Sequence, residues 1–213
     1  MSEYSAIILG GESTSVQIGD DVYVGDTIYT SFSQAFSAAL ASTDKNLVIN
    51  GTDFSGLATN ALTANLNVIG KDAPKLSGNG STTLFHVNNA ALVLTVKSVV
   101  IHDGTAARGG AIYGQKGTLN LIGATLSGNS STAAGSYDAG GAVYMTSGSI
   151  EKSLFSGNDT LGKGGGVGIG ASATISGSTF IENTAQVYGG AVYTFKSAVL
   201  TVSDSVFLRN GPF

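Results

Sequence analysis

Cysteine is absent from all 213 residues of the chain. That single absence removes disulfide scaffolds, thiolate metal sites and cysteine nucleophiles. Charge is scarce as well: 11% of the residues are charged, less than half of what an ordinary soluble domain carries. With a formal net charge of −4 and Lys and Arg scattered, there is no basic stripe to hold nucleic acid. No apolar run approaches the roughly 18 residues of a transmembrane helix. The opening stretch MSEYSAIILGG has neither a basic n-region nor a full apolar h-region, so it does not read as a signal peptide. Disorder is excluded from the other side, because 42% of the residues are hydrophobic and can fill a core. With 31 glycines and only 2 prolines, the composition suits a β-rich protein with a small-residue, hydroxylated surface.

What is abundant is repetition. Four glycine-rich openings occur, Gly109-Gly110-Ala111-Ile112, Gly140-Gly141-Ala142-Val143, Gly164-Gly165-Gly166-Val167 and Gly189-Gly190-Ala191-Val192, spaced 31, 24 and 25 residues apart. Four closings accompany them: TLSGN ending at Asn129, LFSGN at Asn158, TFIEN at Asn183 and VFLRN at Asn210. Six residues carry Asn158 and Asn183 to the next glycine pair, whereas Asn129 needs eleven, which places a five-residue insertion in SSTAAGSYDA, residues 130–139. Carried upstream, the register puts Asp103 at the Asn position and Ser98 in line with Ser153, Ser178 and Ser205. Asn79 and, more loosely, Asn50 become earlier members, giving five or six turns of one unit.

Inside each unit apolar residues alternate with period two, which is a strand pattern. Three columns emerge: Leu119, Gly148, Ala173 and Leu200; Leu121, Ile150, Ile175 and Val202; and Val100, Leu126, Phe155, Phe180 and Phe207. A unit this short cannot bury its own apolar face and must stack on copies of itself. A propeller blade needs roughly 40 residues, so the spacing predicts an all-β fold, a right-handed parallel β-helix with coils of about 25 residues. Stacked coils bring equal positions to about 4.8 Å from one another. Phe155, Phe180 and Phe207 then form one structural ladder, and Asp103, Asn129, Asn158, Asn183 and Asn210 form another. Asn suits that second position because it tolerates a left-handed corner and its amides can bond from coil to coil. The Gly-Gly pairs mark another corner, where positive φ or close backbone approach is required.

The first 45 residues differ. TSFSQAFSAALAST, residues 30–43, carries Phe32, Phe36, Ala39 and Leu40 at helical spacing, with Ser31 or Ser33 as N-cap. A helix there covers the open end of the stack. Residues 1–28 suggest two or three strands in SAIIL, TSVQI and DVYVGDTIY. The chain therefore divides into an N-terminal β segment and capping helix, 1–45, and a β-helix, 46–213, expected to be cut short at its C-terminal end.

The openings Gly109 to Ile112, Gly140 to Val143 and Gly189 to Val192, with the pairs Phe155/Asn158, Phe180/Asn183 and Phe207/Asn210, resemble the repeats of chlamydial polymorphic outer membrane proteins and similar autotransporter passengers. Gly164 to Val167 departs by Gly for Ala, and Leu126 stands where the first Phe would be. The resemblance implies a bacterial protein that is secreted or displayed on the cell surface, acting in adhesion or as a stalk. Its partner would be a host or cell-surface protein or glycan.

Parallel β-helices also host polysaccharide-cleaving enzymes, which need paired carboxylates roughly 5 to 10 Å apart. The columns offer none: Glu182 faces Arg209, Glu151 faces Ser176 and Ser203, and Asp204 faces Gly177 and Lys152. No catalytic residue, cofactor site or metal site is expected. His86 and His102 are the only histidines, and His102 beside Asp103 is expected to be incidental. Tyr113, Tyr144 and Tyr193 share a column interrupted by Gly168, facing outward if Ile112, Val143 and Val192 face inward. They serve either as a register-holding stack or as a platform for a glycan or protein. The insertion with Tyr137 is the other candidate recognition feature. The expected role is a non-catalytic adhesin or stalk segment. The alternatives are a filament subunit that stacks end to end on itself and a polysaccharide-binding or polysaccharide-cleaving β-helix.

Overall fold

The computed structural model describes residues 22–51, 53–135, 139–195 and 197–212. Strands β1 (Val22–Val24) and β2 (Thr27–Tyr29) form an antiparallel hairpin, and β1 pairs antiparallel with Asn46–Asn50. SAIIL and TSVQI lie outside the described residues. Helix α1 (Phe32–Ala41) has Ser31 at its N-cap, whose hydroxyl bonds to Ser33 rather than to the helix backbone. From Asn46 onward every strand pairing is parallel, the mark of a coiled chain rather than a folded meander.

Three sheets run along this β-solenoid. The first stacks Asn46–Asn50, Leu66–Lys71, Phe85–Lys97, Ile112–Ile122, Val143–Glu151 and Val167–Ser176, then splits between Val192–Thr194 and Val199–Ser203. The second stacks Asp53–Leu57, Lys75–Gly78, Val100–His102, Thr125–Ser127, Leu154–Ser156, Thr179–Ile181 and Val206–Leu208. The third holds Thr105–Ala106, Ser130–Ser131, Asp159–Thr160 and Thr184–Ala185. Inward residues of all three meet in one core, where Phe85, Ile112, Leu121, Phe155 and Phe180 are fully buried. Phe155 and Phe180 stack at 4.7 Å and Phe180 and Phe207 at 4.9 Å, with their planes nearly parallel, so the rings repeat at the strand spacing. At the N-terminal end Phe32 and Phe36 of α1 pack on Phe54 and Phe85 and close the core.

The three-residue strands of the second sheet exist because the backbone turns sharply at both ends. Positive φ recurs at Ser98, Gly123, Lys152, Gly177 and Asp204 before each strand, and at Asp103, Gly128, Gly157, Glu182 and Arg209 after it. The corner before the first sheet works differently. Gly109 has φ +57, while a Cβ on its neighbour Gly110 would lie 2.5 Å from the carbonyl oxygens of Gly104 and Ser130. The pair thus combines a left-handed residue with a close backbone approach.

Three expectations shift by one position. Leu126 pairs with Ile101, so Ile101 and not Val100 belongs to the Phe column, which continues upstream through Leu76 and Phe54. Asp103 aligns with Gly128 in the left-handed corner, and Gly104 takes the ladder position, its N–H donating to Asn129 Oδ1 at 3.0 Å. Ser98 belongs to the other left-handed corner rather than to the serine column. The cause is a coil one residue shorter, with two residues between Ala106 and Gly109 against three between Thr160 and Gly164. Asn79, next to this shortened coil, turns its Oδ1 to Ser81 and Thr82, and Asn50 lies in the first sheet opposite Lys71.

The ladder asparagines have right-handed or extended φ, so a left-handed corner is not what selects Asn. Hydrogen bonding is. Asn129 donates both its backbone N–H and Nδ2 to Asn158 Oδ1, Asn158 does the same to Asn183, and Asn183 to Asn210, all within 2.8–3.1 Å. The remaining Nδ2 hydrogen goes to the carbonyl of Ile101, Leu126, Phe155 or Phe180. A serine column runs beside it: Ala124, Ser153 and Ser178 donate N–H to the Oγ of Ser153, Ser178 and Ser205 in turn, each at 3.1 Å.

Candidate functional site

Tyr113, Tyr144, Gly168 and Tyr193 lie in one column of the first sheet, with His86 preceding them. Their neighbours Ile112 and Val143 are fully buried, so alternation sends this column outward. The rings do not stand free. His86 stacks on Tyr113 at 5.1 Å, Tyr113 tilts against Tyr144 at 5.7 Å, and Tyr144 meets Phe195 at 5.9 Å. Phe195 fills the gap left by Gly168, and a Cβ there would meet its ring at 3.1 Å. Tyr193 closes edge-on against Phe195 at 4.8 Å, and Tyr188 stacks on Tyr193 at 6.2 Å. Tyr144 and Phe195 are each 8% exposed, whereas Tyr188 is 61% exposed.

Two cations sit at the neighbouring glycine corner. Arg108 Nη1 donates to Tyr113 OH at 3.1 Å. Lys163 Nζ lies 4.9 Å from the Tyr193 ring centre and 5.6 Å from that of Tyr188. The insertion opens between them. Ser130–Ser131 are a rung of the third sheet, so the extra residues fall in 132–139, and the loop returns through buried Ala139. Two features read separately in the sequence, the tyrosines and the insertion, therefore share one corner. Tyr137 lies outside the described residues.

Tyr113 lies between His86 and Tyr144, Tyr144 between Tyr113 and Phe195, and Tyr193 between Phe195 and Tyr188, so these rings give most of their surface to one another. The row thus offers two cations, Arg108 and Lys163, beside tyrosine hydroxyls, and an exposed aromatic ring at Tyr188. Phe195 and Lys163 went unnoticed in the sequence, and Arg108 was read there only as a cation that stands away from any group of acids. Gly168 interrupting a tyrosine column, with an aromatic two residues beyond Tyr193, was the signal for Phe195.

A second outward feature also went unnoticed. Asn46, Asn67, Thr95, Asn120, Ser149, Thr174 and Thr201 form an unbroken column down the first sheet. Asn67 donates to Asn46 and Ser149 to Asn120 within it. The adjacent outward column, Val93, Thr118, Ser147, Ser172 and Val199, is uncharged as well. The outward column on the other side, Ile69, Lys97, Ile122, Glu151, Ser176 and Ser203, brings in two charges, so it is the strip of the first two columns that can exchange hydrogen bonds with a neutral polar partner without desolvating a charge.

Among the described residues, several acids meet partners that are not acids. Glu182 pairs with Arg209 at 2.8 Å on the surface, Glu151 lies beside Ser176, Asp53 beside Lys75, and Asp159 accepts from Ser130. His102 Nδ1 and Asp103 Oδ2 are 2.7 Å apart, with Asp103 held outward by its left-handed backbone. Among the described residues no three His, Cys, Asp or Glu side chains converge as a metal site. No helix among them is long and apolar enough to cross a membrane.

The Chlamydia polymorphic membrane protein repeat matches residues 177–194, from the Gly177 corner through Phe180 and Asn183 to the glycine opening at Gly189. No curated protein and no solved structure matches the chain. The chain resembles the β-helix repeats of that family, and the resemblance points to a domain of a surface or outer-membrane protein.

Proposed function

We propose that this solenoid is a segment of a secreted or cell-surface bacterial adhesin or stalk that binds without catalysing a reaction. The observation that carries this reading is the uncharged column of Asn, Thr and Ser that runs from Asn46 to Thr201. Such a surface favours many weak, direct hydrogen bonds to neutral polar groups such as glycan hydroxyls. The Tyr188 and Lys163 corner adds an aromatic face and a cation at one edge. The absence of facing carboxylates in the registers above supports a non-catalytic role, since glycosidic cleavage needs such a pair.

Beads coated with the chain, washed over eukaryotic cell monolayers under flow, test the adhesive part. Retention well above albumin-coated beads is expected, and it should fall when Thr95, Asn120 and Thr174 are replaced together by Glu. Retention no better than albumin removes the adhesive reading. Release of reducing ends from polysaccharides by the chain removes the non-catalytic one.

A further inference from the structure

Three asparagines in the chain are followed directly by glycine: Asn50, Asn79 and Asn210. At such a step the glycine nitrogen can attack the preceding side-chain amide, because no Cβ on the glycine hinders its approach. The fold holds two of the three back. Gly51 N–H donates to the Lys71 carbonyl at 3.1 Å, and Asn50 is only 8% exposed. Gly211 N–H donates to the Asn183 carbonyl at 3.1 Å, while Asn183 and Phe180 engage Asn210 Oδ1 and Nδ2. Asn79 and Gly80 lie exposed in the turn between Lys75–Gly78 and Phe85–Lys97. There the Gly80 N–H and Asn79 Nδ2 meet no partner among the described residues. Asn79 Oδ1 instead accepts three hydrogen bonds, from the Ser81 N–H at 3.0 Å, the Ser81 hydroxyl at 2.9 Å and the Thr82 hydroxyl at 3.0 Å.

We propose that Asn79 is a site of self-modification, where the Gly80 nitrogen closes on Asn79 Cγ and the side-chain amide leaves as ammonia. Attack forms the Gly80 N–Cγ bond and drives negative charge onto Oδ1, which the Ser81 and Thr82 donors already face. The Gly80 nitrogen gives its proton to solvent, the Cγ–Nδ2 bond breaks, and Nδ2 takes up a proton as it departs. Water then opens the cyclic imide at either carbonyl. One opening leaves aspartate at position 79. The other routes the backbone through the side chain as isoaspartate, which lengthens the turn by one carbon. Either product adds one negative charge to a chain whose formal net charge is −4. The three donors that meet the developing oxyanion are then in place to bind the carboxylate. A polarised carbonyl, an unbonded nucleophile and an unheld leaving group thus coincide at Asn79, and at neither of the other two steps.

The test incubates the chain at physiological temperature and pH, folded in buffer and unfolded in urea. Peptides taken at intervals are read by mass spectrometry, with isoaspartate and aspartate forms separated by chromatography. In the folded chain, conversion at Asn79 should outrun that at Asn50 and Asn210 by roughly tenfold or more, since their amides are held. It should also be at least as fast folded as in urea. The double variant Ser81→Ala and Thr82→Ala keeps Asn79 and Gly80 but removes two donors. It should slow conversion in the folded chain by roughly threefold or more and leave the rate in urea nearly unchanged. Conversion at Asn79 that is slower folded than unfolded, similar conversion at all three asparagines, or a folded rate that the double variant does not change overturns the proposal.

Discussion

An asparagine side chain closed off from water must place two hydrogens and an oxygen, and Asn158 places all of them. Its Oδ1 accepts twice from Asn129, and its Nδ2 donates to Asn183 and to the Leu126 carbonyl. Asn158→Ala strands two buried donors of Asn129 and takes one donor each from the Leu126 carbonyl and from Asn183 Oδ1, which keeps the Asn158 N–H, so the loss should reach about 3 kcal/mol, measured by urea unfolding. Asn210→Ala, at the exposed end, should cost clearly less. The left-handed corners make the opposite forecast. Lys152 holds φ +48 with an ordinary side chain, so Lys152→Gly should stabilise by about 0.5 to 1 kcal/mol in the same assay. These corners were not legible, since Ser, Gly, Lys and Asp occupy one and Asp, Gly, Glu and Arg the other. What recurs there is a dihedral angle and not a residue type. Asp103 misled for a related reason, because it looks like an Asn and lies one place from where the ladder runs.

Strands stack here because each places the same kind of side chain at the same level, and the Phe column shows how burial grades the effect. Phe180 is enclosed by Phe155 below and Phe207 above, so Phe180→Ala should cost about 3 to 5 kcal/mol. Phe207→Ala should cost roughly a third of that or less in the same unfolding experiment, because half its surface already meets water. Phe155, Phe180 and the glycine pairs were readable because each is a strong local signal repeated from coil to coil, and α1 because Phe32, Phe36, Ala39 and Leu40 fall at helical spacing. The aromatic row was readable only in part. Tyr113, Tyr144 and Tyr193 announced it, but Phe195 reaches it across a coil, and linear order does not show that it closes over Tyr144. Phe195→Ala should uncover Tyr144 and raise its accessibility to a neutral quencher of tyrosine fluorescence.

At the scale of the molecule, cohesion of the described coils comes from apolar stacking and neutral hydrogen bonds, and two ion pairs between coils lie on the surface. The Lys75–Asp53 and Arg209–Glu182 pairs are each more than half exposed. Raising the salt concentration to half molar should therefore shift the unfolding free energy by about 0.5 kcal/mol or less. The two ends of the stack differ, since α1 seals one while Phe207 and Asn210 face outward at the other. A coil sandwiched between neighbours cannot leave first, but the last coil holds to only one. Pulled by its C-terminus, the chain should yield as a roll of tape does, one turn at a time from the open end. Each release of about 25 residues would then lengthen it by roughly 85 Å. Force spectroscopy should record successive steps, the coil from Asn129 to Asn158 giving a longer one than the coil from Asn158 to Asn183, that end where α1 and the hairpin give way together.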